Sequence, residues 1–355
     1  MNQAPLTPLP PQPEGTPFPG NQWPRADLPS GVEIESLMAE MFDPSSPFNE
    51  TYAVVIVQGG RVVVERYANR LAALEGEGDE VTEKTPLLSW SLAKSMLHAV
   101  IGMLVSDGRL ALDAPAPVDA WSMPGDPRQA ITTADLLAMR DGLKWSEVYS
   151  VDAPSDVVAM LFGEGRDDVA GFAERSPAEA PPNSRYAYSS GTSNILSAIA
   201  SRAIAPENRI DEFIQSRLFS AIGMSSARAT IDKAGTWVAS TFVYATALDF
   251  ARFGLLYLRD GVWEGKRILP EGWVDHARTP LSRDEANGHL YGNQWWVSED
   301  RYGSFWANGH EGQVILVCPA LDLVVVRIGR TGDAGYALLP AWREAILDAF
   351  AAADS

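Results

Sequence analysis

The sequence contains very little cysteine and histidine. Its 355 residues include one cysteine, Cys318, and four histidines. A single cysteine excludes an intrachain disulfide bond and any cysteine-rich zinc site. The histidines stand far apart in the sequence, which argues against a histidine metal centre. We therefore expect neither a metal ion nor another cofactor.

Basic residues and long hydrophobic runs are also scarce. The chain has 28 Lys and Arg against 46 Asp and Glu, a formal net charge of −18. Such a charge repels nucleic-acid phosphates and anionic membranes, so we expect neither as a partner. No run approaches the ~18–20 apolar residues of a membrane helix, and the N-terminus does not read as a secretory signal. These absences predict a soluble, cytoplasmic protein with a small-molecule partner, and they leave its oligomeric state open.

What is present is the composition of an ordinary globular chain, with 46% hydrophobic and 21% charged residues. Nine of the 25 prolines lie in the first 30 residues, where they exclude helices and central strands. We interpret residues 1–30 as a proline-rich N-terminal arm, with Phe18 and Trp23 as anchors on the body. A short amphipathic helix is predicted over residues 32–42.

Strand signals occur at both ends of the chain. Two valine-rich runs, 52–58 and 61–68, are separated by Gly59-Gly60, a strong signal for a two-residue hairpin turn. A second strand pair is predicted at 313–318 and 323–328 around a turn at 319–322. Apolar residues at helical spacing predict a closing helix at 337–352 and helices at 91–107, 133–139, 155–162, 192–203, 210–221 and 247–259.

This order predicts an α+β fold, in which an antiparallel sheet formed from both chain ends is flanked by helices. A mostly helical region is inserted between the two ends. The predicted domains are a sheet domain from residues 31–90 and 235–355, and a helical domain from residues 91–234. The cleft between them is the expected ligand site.

The strongest chemical candidate is the pair Ser91 and Lys94. The chain has no G-x-S-x-G elbow, no G-x-G-x-x-G fingerprint and no P-loop. On a helix, positions i and i+3 share a face, so the serine hydroxyl and the lysine amine can meet. Burial and the positive end of the helix would lower the lysine pKa and allow it to accept a proton. A serine followed three residues later by a lysine is a short pattern that also occurs by chance. The alternative to a catalytic pair is a helix-capping serine beside a lysine on an exposed face.

Two further segments add specificity to this pair. The chain carries S-W-S-L-A-K-S at 89–95, Y-A-Y-S-S at 186–190 and G-H-E-G-Q at 309–313. With these segments it resembles the serine β-lactamase and penicillin-binding-protein superfamily over most of residues 50–330. The resemblance is greatest to the esterase-like and 6-aminohexanoate-dimer (nylon-oligomer) hydrolase branch. It implies a β-lactamase-like fold and a cofactor-free serine hydrolase.

The resemblance also implies roles for individual residues. Ser91 would be the nucleophile, and Lys94 and Tyr188 would transfer protons; which of the two takes the serine proton is left open. The backbone N–H groups of Ser91 and Gln313 would form the oxyanion hole. Gly312 would let the substrate approach the strand closely.

Two residues would contact the substrate. His310 stands where true β-lactamases have a lysine that binds the substrate carboxylate, and a mostly neutral imidazole binds a carboxylate less well. The alternative is a strand histidine with a structural hydrogen bond. Tyr149 resembles a loop tyrosine that contacts the amide in nylon-oligomer hydrolases, and the alternative is an ordinary surface aromatic.

These observations predict hydrolysis of small carboxylic esters or amides through an acyl-enzyme on Ser91. Within enzymes, the alternative is a β-lactamase or D,D-peptidase. Outside them, it is a non-catalytic binding protein on the same scaffold. The acyl group and the leaving group are not readable from the sequence.

Overall fold

The structure is a computed structural model that describes residues 5–48, 50–68, 80–149 and 154–353. Its helices are α1 (Glu35–Met41), α2 (Leu92–Ser106), α3 (Thr133–Leu137), α4 (Asp156–Phe162), α5 (Val169–Glu174), α6 (Ser190–Ile204), α7 (Ile210–Ile214), α8 (Ala247–Leu258), α9 (Trp273–Arg278), α10 (Asp333–Tyr336) and α11 (Leu339–Ala353). Its strands are β1 (Glu50–Gln58), β2 (Arg61–Tyr67), β3 (Leu87–Leu88), β4 (Arg228–Ala229), β5 (Val243–Ala245), β6 (Val262–Trp263), β7 (Lys266–Arg267), β8 (Ser282–Arg283), β9 (Leu290–Tyr291), β10 (Trp296–Val297), β11 (Phe305–Gly309), β12 (Gln313–Cys318) and β13 (Leu323–Arg330).

Eight of these strands form one antiparallel sheet, in the order β2-β1-β13-β12-β11-β10-β9-β8. Because β1 pairs with β13, strands from the two ends of the chain are neighbours in this sheet, which confirms the predicted α+β arrangement. The β1–β2 hairpin is also confirmed. Its turn residues Gly59 and Gly60 have φ of 56° and 73°, as a two-residue hairpin turn of this kind requires.

Both faces of this sheet are buried, which explains why its central strands are valine-rich without alternation. On one face, Val55 of β1 belongs to a core that includes Phe253 of α8. On the other face, Ile56 belongs to a core that includes Ile346 of α11. Successive residues of a strand point to opposite faces, so both sets must be apolar.

Several predicted helices are present with slightly shorter bounds, and others differ from the prediction. The helix predicted at 210–221 is α7 followed by a wider π turn at Gln215–Phe219 and a tighter turn at Ser220–Ile222. The sequence did not predict α5 or α9, nor the strands β8 to β11. Two-residue strands such as β8, β9 and β10 are too short to show an alternating pattern.

The two predicted anchors of the N-terminal arm contact the rest of the chain. The Phe18 ring lies 4.9 Å from Trp263, and Trp23 is buried with the Arg252 guanidinium 5.3 Å from its ring. The division into an arm, a sheet domain and a helical domain stays a prediction. None of the helices in the described ranges is both long enough and apolar enough to span a membrane.

Candidate active site

Ser91 lies in a tight turn directly before α2. The preceding residue, Trp90, has a φ of 46°, which is uncommon for a bulky side chain. The turn is fixed by Ser89, whose hydroxyl donates to the Thr241 carbonyl at 2.8 Å and accepts from the Val243 N–H at 3.1 Å. A strained backbone conformation of this kind persists only where the surrounding hydrogen bonds and packing hold the residue in place. Here the bonds hold the Ser91 hydroxyl at the wall of a cavity.

Lys94 stands one helical turn after Ser91 and is buried. Its Nζ lies 2.9 Å from Ser91 Oγ, 3.0 Å from Ser190 Oγ and 2.9 Å from the Ser240 carbonyl oxygen. Burial lowers the pKa of Lys94 to about 8, and the carboxylate of Glu147 opposes that effect. A usable fraction of the amine is therefore neutral near pH 7–8 and can accept a proton.

Glu147, which the sequence analysis did not single out, completes this network. Its carboxylate accepts the Ser190 hydroxyl at 2.5 Å and the Ser190 N–H at 2.9 Å. Because the Ser190 proton goes to Glu147, Ser190 Oγ can only accept from Lys94, and the Ser240 carbonyl can likewise only accept. A neutral Lys94 that donates its two N–H groups to these acceptors directs its lone pair at the Ser91 hydroxyl.

Tyr188 lies beside the serine–lysine pair. Its ring centroid lies 4.9 Å from Lys94 Nζ, and it lines the same cavity as Ser91. Burial raises the pKa of Tyr188 well above its ordinary value, and Tyr291 and Glu147 add to this effect. The phenol therefore carries its proton at neutral pH.

Tyr149 and His310 form a second wall of the cavity. Their rings are stacked at 4.4 Å, and the Tyr149 hydroxyl donates to Glu147 at 3.4 Å. This placement favours a site residue over an ordinary surface aromatic at position 149. Burial lowers the pKa of His310, so its imidazole is neutral at pH 7. Its ring also contacts Trp90 edge-on at 5.0 Å.

A turn, His310–Gly312, separates β11 from β12, so Gly312 does not lie on a strand as the resemblance implied. Glu311 and Gly312 have φ of 61° and 88°. A Cβ on Gly312 would lie 2.6 Å from Leu339 Cδ1 and 2.7 Å from Arg327 Nη1. The role predicted for this glycine, close approach of substrate to a strand, does not match this geometry. It is a turn residue packed against the protein interior.

The structure does not bring Gln313 to the cavity. Its side-chain amide donates to the carbonyls of His310 at 2.8 Å and Gly329 at 2.5 Å, and only 2% of the residue is exposed. Because the turn His310–Gly312 precedes Gln313, His310 is the residue of the 309–313 segment that lines the cavity with Ser91. A Cβ added to Gly309 would lie 2.8 Å from the Ser89 carbonyl oxygen, so the end of β11 packs against the turn that carries Ser91. The next residue, His310, lines the cavity.

The cavity has a volume of about 920 Å³. Ser91, Glu147, Tyr149, Tyr188 and His310 all line it. It therefore brings a serine hydroxyl, a carboxylate, two phenols and an imidazole together in a space large enough for a small organic substrate. Within the described residues, no three histidine, cysteine, aspartate or glutamate side chains are placed to hold a metal ion.

The antiparallel sheet formed from both chain ends, with its flanking helices, is the β-lactamase-like fold of a family of serine hydrolases. The Beta-lactamase family matches residues 49–338, and the chain belongs to that family.

Individual relatives agree with this assignment. The chain is 24% identical over 327 residues to the 6-aminohexanoate-dimer hydrolase of Paenarthrobacter ureafaciens, covering 85% of this chain and 79% of the relative. A solved structure from Bacillus anthracis, described as a candidate 6-aminohexanoate-dimer hydrolase, aligns with a TM-score of 0.74 at 22% identity, over 93% of this chain and 89% of the other. A family VIII carboxylesterase aligns with a TM-score of 0.69 at 13% identity, over 90% and 98% of the two chains. At these identities the structural likenesses show the fold.

Replacing Glu147 by glutamine should shift the pH dependence of turnover. Glutamine keeps an acceptor for the Ser190 hydroxyl but removes the negative charge that raises the pKa of Lys94. The rising limb of kcat against pH, expected near pH 8, should therefore move to lower pH, with kcat on the plateau changed by less than about tenfold. The measurement is a pH–rate profile with p-nitrophenyl butyrate.

Glu179→Gln is the matched control, because Glu179 pairs with Arg185 and makes no contact with Lys94. Glu179→Gln should leave the rising limb of kcat at the same pH as in the unmodified protein. A limb at the same pH in Glu147→Gln as in the unmodified protein would show that this carboxylate does not act on the lysine.

Proposed function

We propose that the protein is a cofactor-free serine hydrolase that cleaves small carboxylic esters or amides through an acyl-enzyme on Ser91. The observation that carries this proposal is the 2.9 Å contact between Lys94 Nζ and Ser91 Oγ. Two further acceptors, Ser190 Oγ and the Ser240 carbonyl, fix the direction of the lysine lone pair. Membership of the Beta-lactamase family supports the same reaction class.

In the first step, neutral Lys94 takes the proton of Ser91 as the serine oxygen attacks the substrate carbonyl carbon. The carbonyl π electrons move to oxygen and form a tetrahedral oxyanion. We assign the base role to Lys94 because burial lowers its pKa to about 8. Tyr188 is the weaker candidate, since its pKa is raised and its phenol stays protonated.

The oxyanion needs hydrogen-bond donors that are already in place. Two backbone N–H groups at the cavity, those of Ser91 and His310, have no acceptor in the part of the chain that the structure describes. Ser91 also directly precedes α2, where the helix dipole favours negative charge. We propose these two amides as the oxyanion hole, with His310 in place of Gln313.

When the intermediate collapses, the bond from the carbonyl carbon to the leaving group breaks. The leaving oxygen or nitrogen takes a proton from the Tyr188 hydroxyl, and the Lys94 ammonium returns one to Tyr188. Water then attacks the acyl-enzyme with Lys94 again as the base. In the second collapse the bond from the acyl carbon to Ser91 Oγ breaks, the serine oxygen takes the proton back from the Lys94 ammonium, and the carboxylic acid is released.

The charges around Ser91 favour neutral substrates over β-lactams. His310 is neutral at pH 7, and the two arginines that line the cavity, Arg185 and Arg283, are each ion-paired. Apart from Lys94, which belongs to the proton-transfer network, no unpaired cation among the described residues that line the cavity is available to bind the carboxylate of a β-lactam. The name of the curated relative, which acts on the 6-aminohexanoate dimer, supports amides as well as esters.

The test is the ratio of kcat/KM for p-nitrophenyl butyrate to that for nitrocefin, with the linear 6-aminohexanoate dimer assayed alongside. We expect the ester to exceed nitrocefin by at least roughly tenfold, because nitrocefin would leave its carboxylate unpaired in a partly buried site. A nitrocefin value equal to or above the ester value would favour a β-lactamase. No turnover of any compound would favour a non-catalytic binding protein.

A further inference from the structure

The turn His310–Gly312 carries a proposed oxyanion donor on a backbone that is strained. Glu311 has a φ of 61°, in the left-handed region that residues with a side chain rarely adopt. Such a conformation persists only where the surrounding structure holds it in place. The direction of the His310 N–H therefore depends on the groups that fix the backbone of this turn.

Two buried side chains bind the three successive carbonyl groups of the turn. The His310 carbonyl accepts from the Gln313 side-chain amide at 2.8 Å. The Glu311 and Gly312 carbonyls accept from Nη1 of Arg327 at 3.0 and 3.1 Å. Gln313 is 2% exposed and Arg327 is 0% exposed. Each peptide plane of the turn is thus held by a side chain of the adjoining strands β12 and β13.

The guanidinium of Arg327 is itself anchored on its other side. Its Nη2 donates to the Thr51 hydroxyl of β1 at 2.9 Å and to the Thr331 hydroxyl. Thr331 also donates its N–H to the Glu311 carbonyl at 3.0 Å. Because a guanidinium is planar and rigid, fixing Nη2 also fixes the direction of Nη1. Arg327 therefore ties the turn to β1 and to the end of β13.

The partners of Arg327 differ from those of other buried arginines. Three of these each form an ion pair with an aspartate: Arg252, Arg259 and Arg278. The hydrogen bonds that the structure describes for Arg327 go instead to neutral oxygens, on backbone carbonyls and threonine hydroxyls. Desolvating a cation is costly, so the geometry of its donors, five N–H groups in one plane, is what favours arginine at this position.

Gln313 connects the same turn to the neighbouring strand. Pairing of β12 with β13 begins at Val314, opposite Arg327, so Gly329 lies beyond the paired residues. The Gly329 N–H donates to the Gln313 side-chain oxygen at 2.8 Å, and its carbonyl accepts from the side-chain nitrogen at 2.5 Å. The amide takes the place of the backbone that turns away. Rotation of the turn would leave buried polar groups unpaired, which is costly.

We propose that Arg327, together with Gln313, is a positioning residue that directs the His310 N–H at the oxyanion. Neither residue lines the cavity, so both act through the backbone of the turn. The inference rests on the proposed function, in which this N–H stabilises the tetrahedral intermediate. It requires that a change at Arg327 weakens binding of the tetrahedral anion and leaves binding of the substrate nearly unchanged.

The first test replaces Arg327 by lysine and by methionine. Lysine keeps the charge but offers a single nitrogen, which cannot replace both sides of the guanidinium fork. For Arg327→Lys, kcat with p-nitrophenyl butyrate should fall at least roughly tenfold, and for Arg327→Met roughly 10²-fold, the cost of a misplaced oxyanion donor. KM should stay within about threefold, because the oxyanion is absent from the bound substrate.

Arg259→Lys is the matched control for the lysine variant. Arg259 is also buried, and its partners Asp322, Gln12 and Pro10 lie outside the turn. The same substitution there removes a buried guanidinium without changing the groups that hold His310. Its kcat and KM should therefore stay within about twofold of the unmodified protein, whatever its melting temperature.

Inhibition by butaneboronic acid provides a readout that loss of stability does not change. The Ser91 oxygen adds to boron, its proton passes to Lys94, and a tetrahedral anion that resembles the intermediate is formed. The inhibition constant is a property of the folded fraction alone. It should rise in the two Arg327 variants by about the same factor as kcat falls, since both report stabilisation of the tetrahedral anion. Arg259→Lys should leave it unchanged.

Two results would overturn the inference while leaving the proposed function intact. One is a fall in kcat of less than tenfold in both Arg327 variants. The other is a larger fall with an unchanged inhibition constant, which would place the effect elsewhere than at the oxyanion. Failure of the proposed function itself would be distinct, because the unmodified protein would then neither hydrolyse the ester nor bind butaneboronic acid.

Discussion

Replacing Ser91 by alanine should reduce kcat for p-nitrophenyl butyrate by at least roughly 10³-fold, because the acyl-enzyme can no longer form. The substitution removes a single oxygen, and the turn that holds Ser91 depends on Ser89. We therefore expect the fold and the melting temperature to be retained. The measurement is steady-state hydrolysis of the ester, corrected for its spontaneous rate.

Ser95→Ala is the matched control for this variant. Ser95 is a buried serine on the same helix, and its hydroxyl donates to the Gln294 carbonyl at 2.7 Å. It should keep kcat within about fivefold, since it lies outside the proposed proton-transfer network. Retention of activity in Ser91→Ala at the level of this control would exclude Ser91 as the nucleophile.

Replacing Lys94 by methionine should lower kcat by roughly 10²–10⁴-fold, the range expected when a general base is lost. Methionine fills similar space and removes a buried amine whose pKa is lowered to about 8. The unmodified protein should gain activity as the pH rises towards 8, because the amine becomes neutral. The variant should lose this rising limb, and a pH–rate profile measures both effects.

Lys266→Met serves as the control, because Lys266 is exposed on β7, in a two-stranded sheet that contains no residue of the network. Its profile should match that of the unmodified protein. If Lys94→Met kept kcat within tenfold and retained the rising limb, the base would be another group, and Tyr188 would be the first candidate.

The sequence predicted those parts of the fold that local patterns encode. The Gly59-Gly60 turn, the paired β1 and β13, and helices such as α2 and α8 depend on turn chemistry or on periodic apolar residues. Ser91 and Lys94 were predictable for the same reason, since their contact spans one helical turn.

Contacts between distant segments were not predictable in this way. Glu147 meets Ser190 across 43 residues, and no spacing rule connects two such positions; the only local signal was its place two residues before Tyr149. The positive φ of Glu311 and Gly312 turns the chain after His310, whereas the resemblance implied that Gly312 lies on a strand. For this reason we propose the His310 N–H as an oxyanion donor in place of the predicted Gln313 N–H.

The central claim, a covalent intermediate on Ser91, has one direct test. The protein is incubated with a fluorophosphonate probe, digested, and its peptides are identified by mass spectrometry. The account predicts one adduct, on the peptide that contains Ser91, formed in parallel with the loss of ester hydrolysis and absent from Ser91→Ala. An adduct on another serine, or full inhibition without any adduct at Ser91, would contradict it.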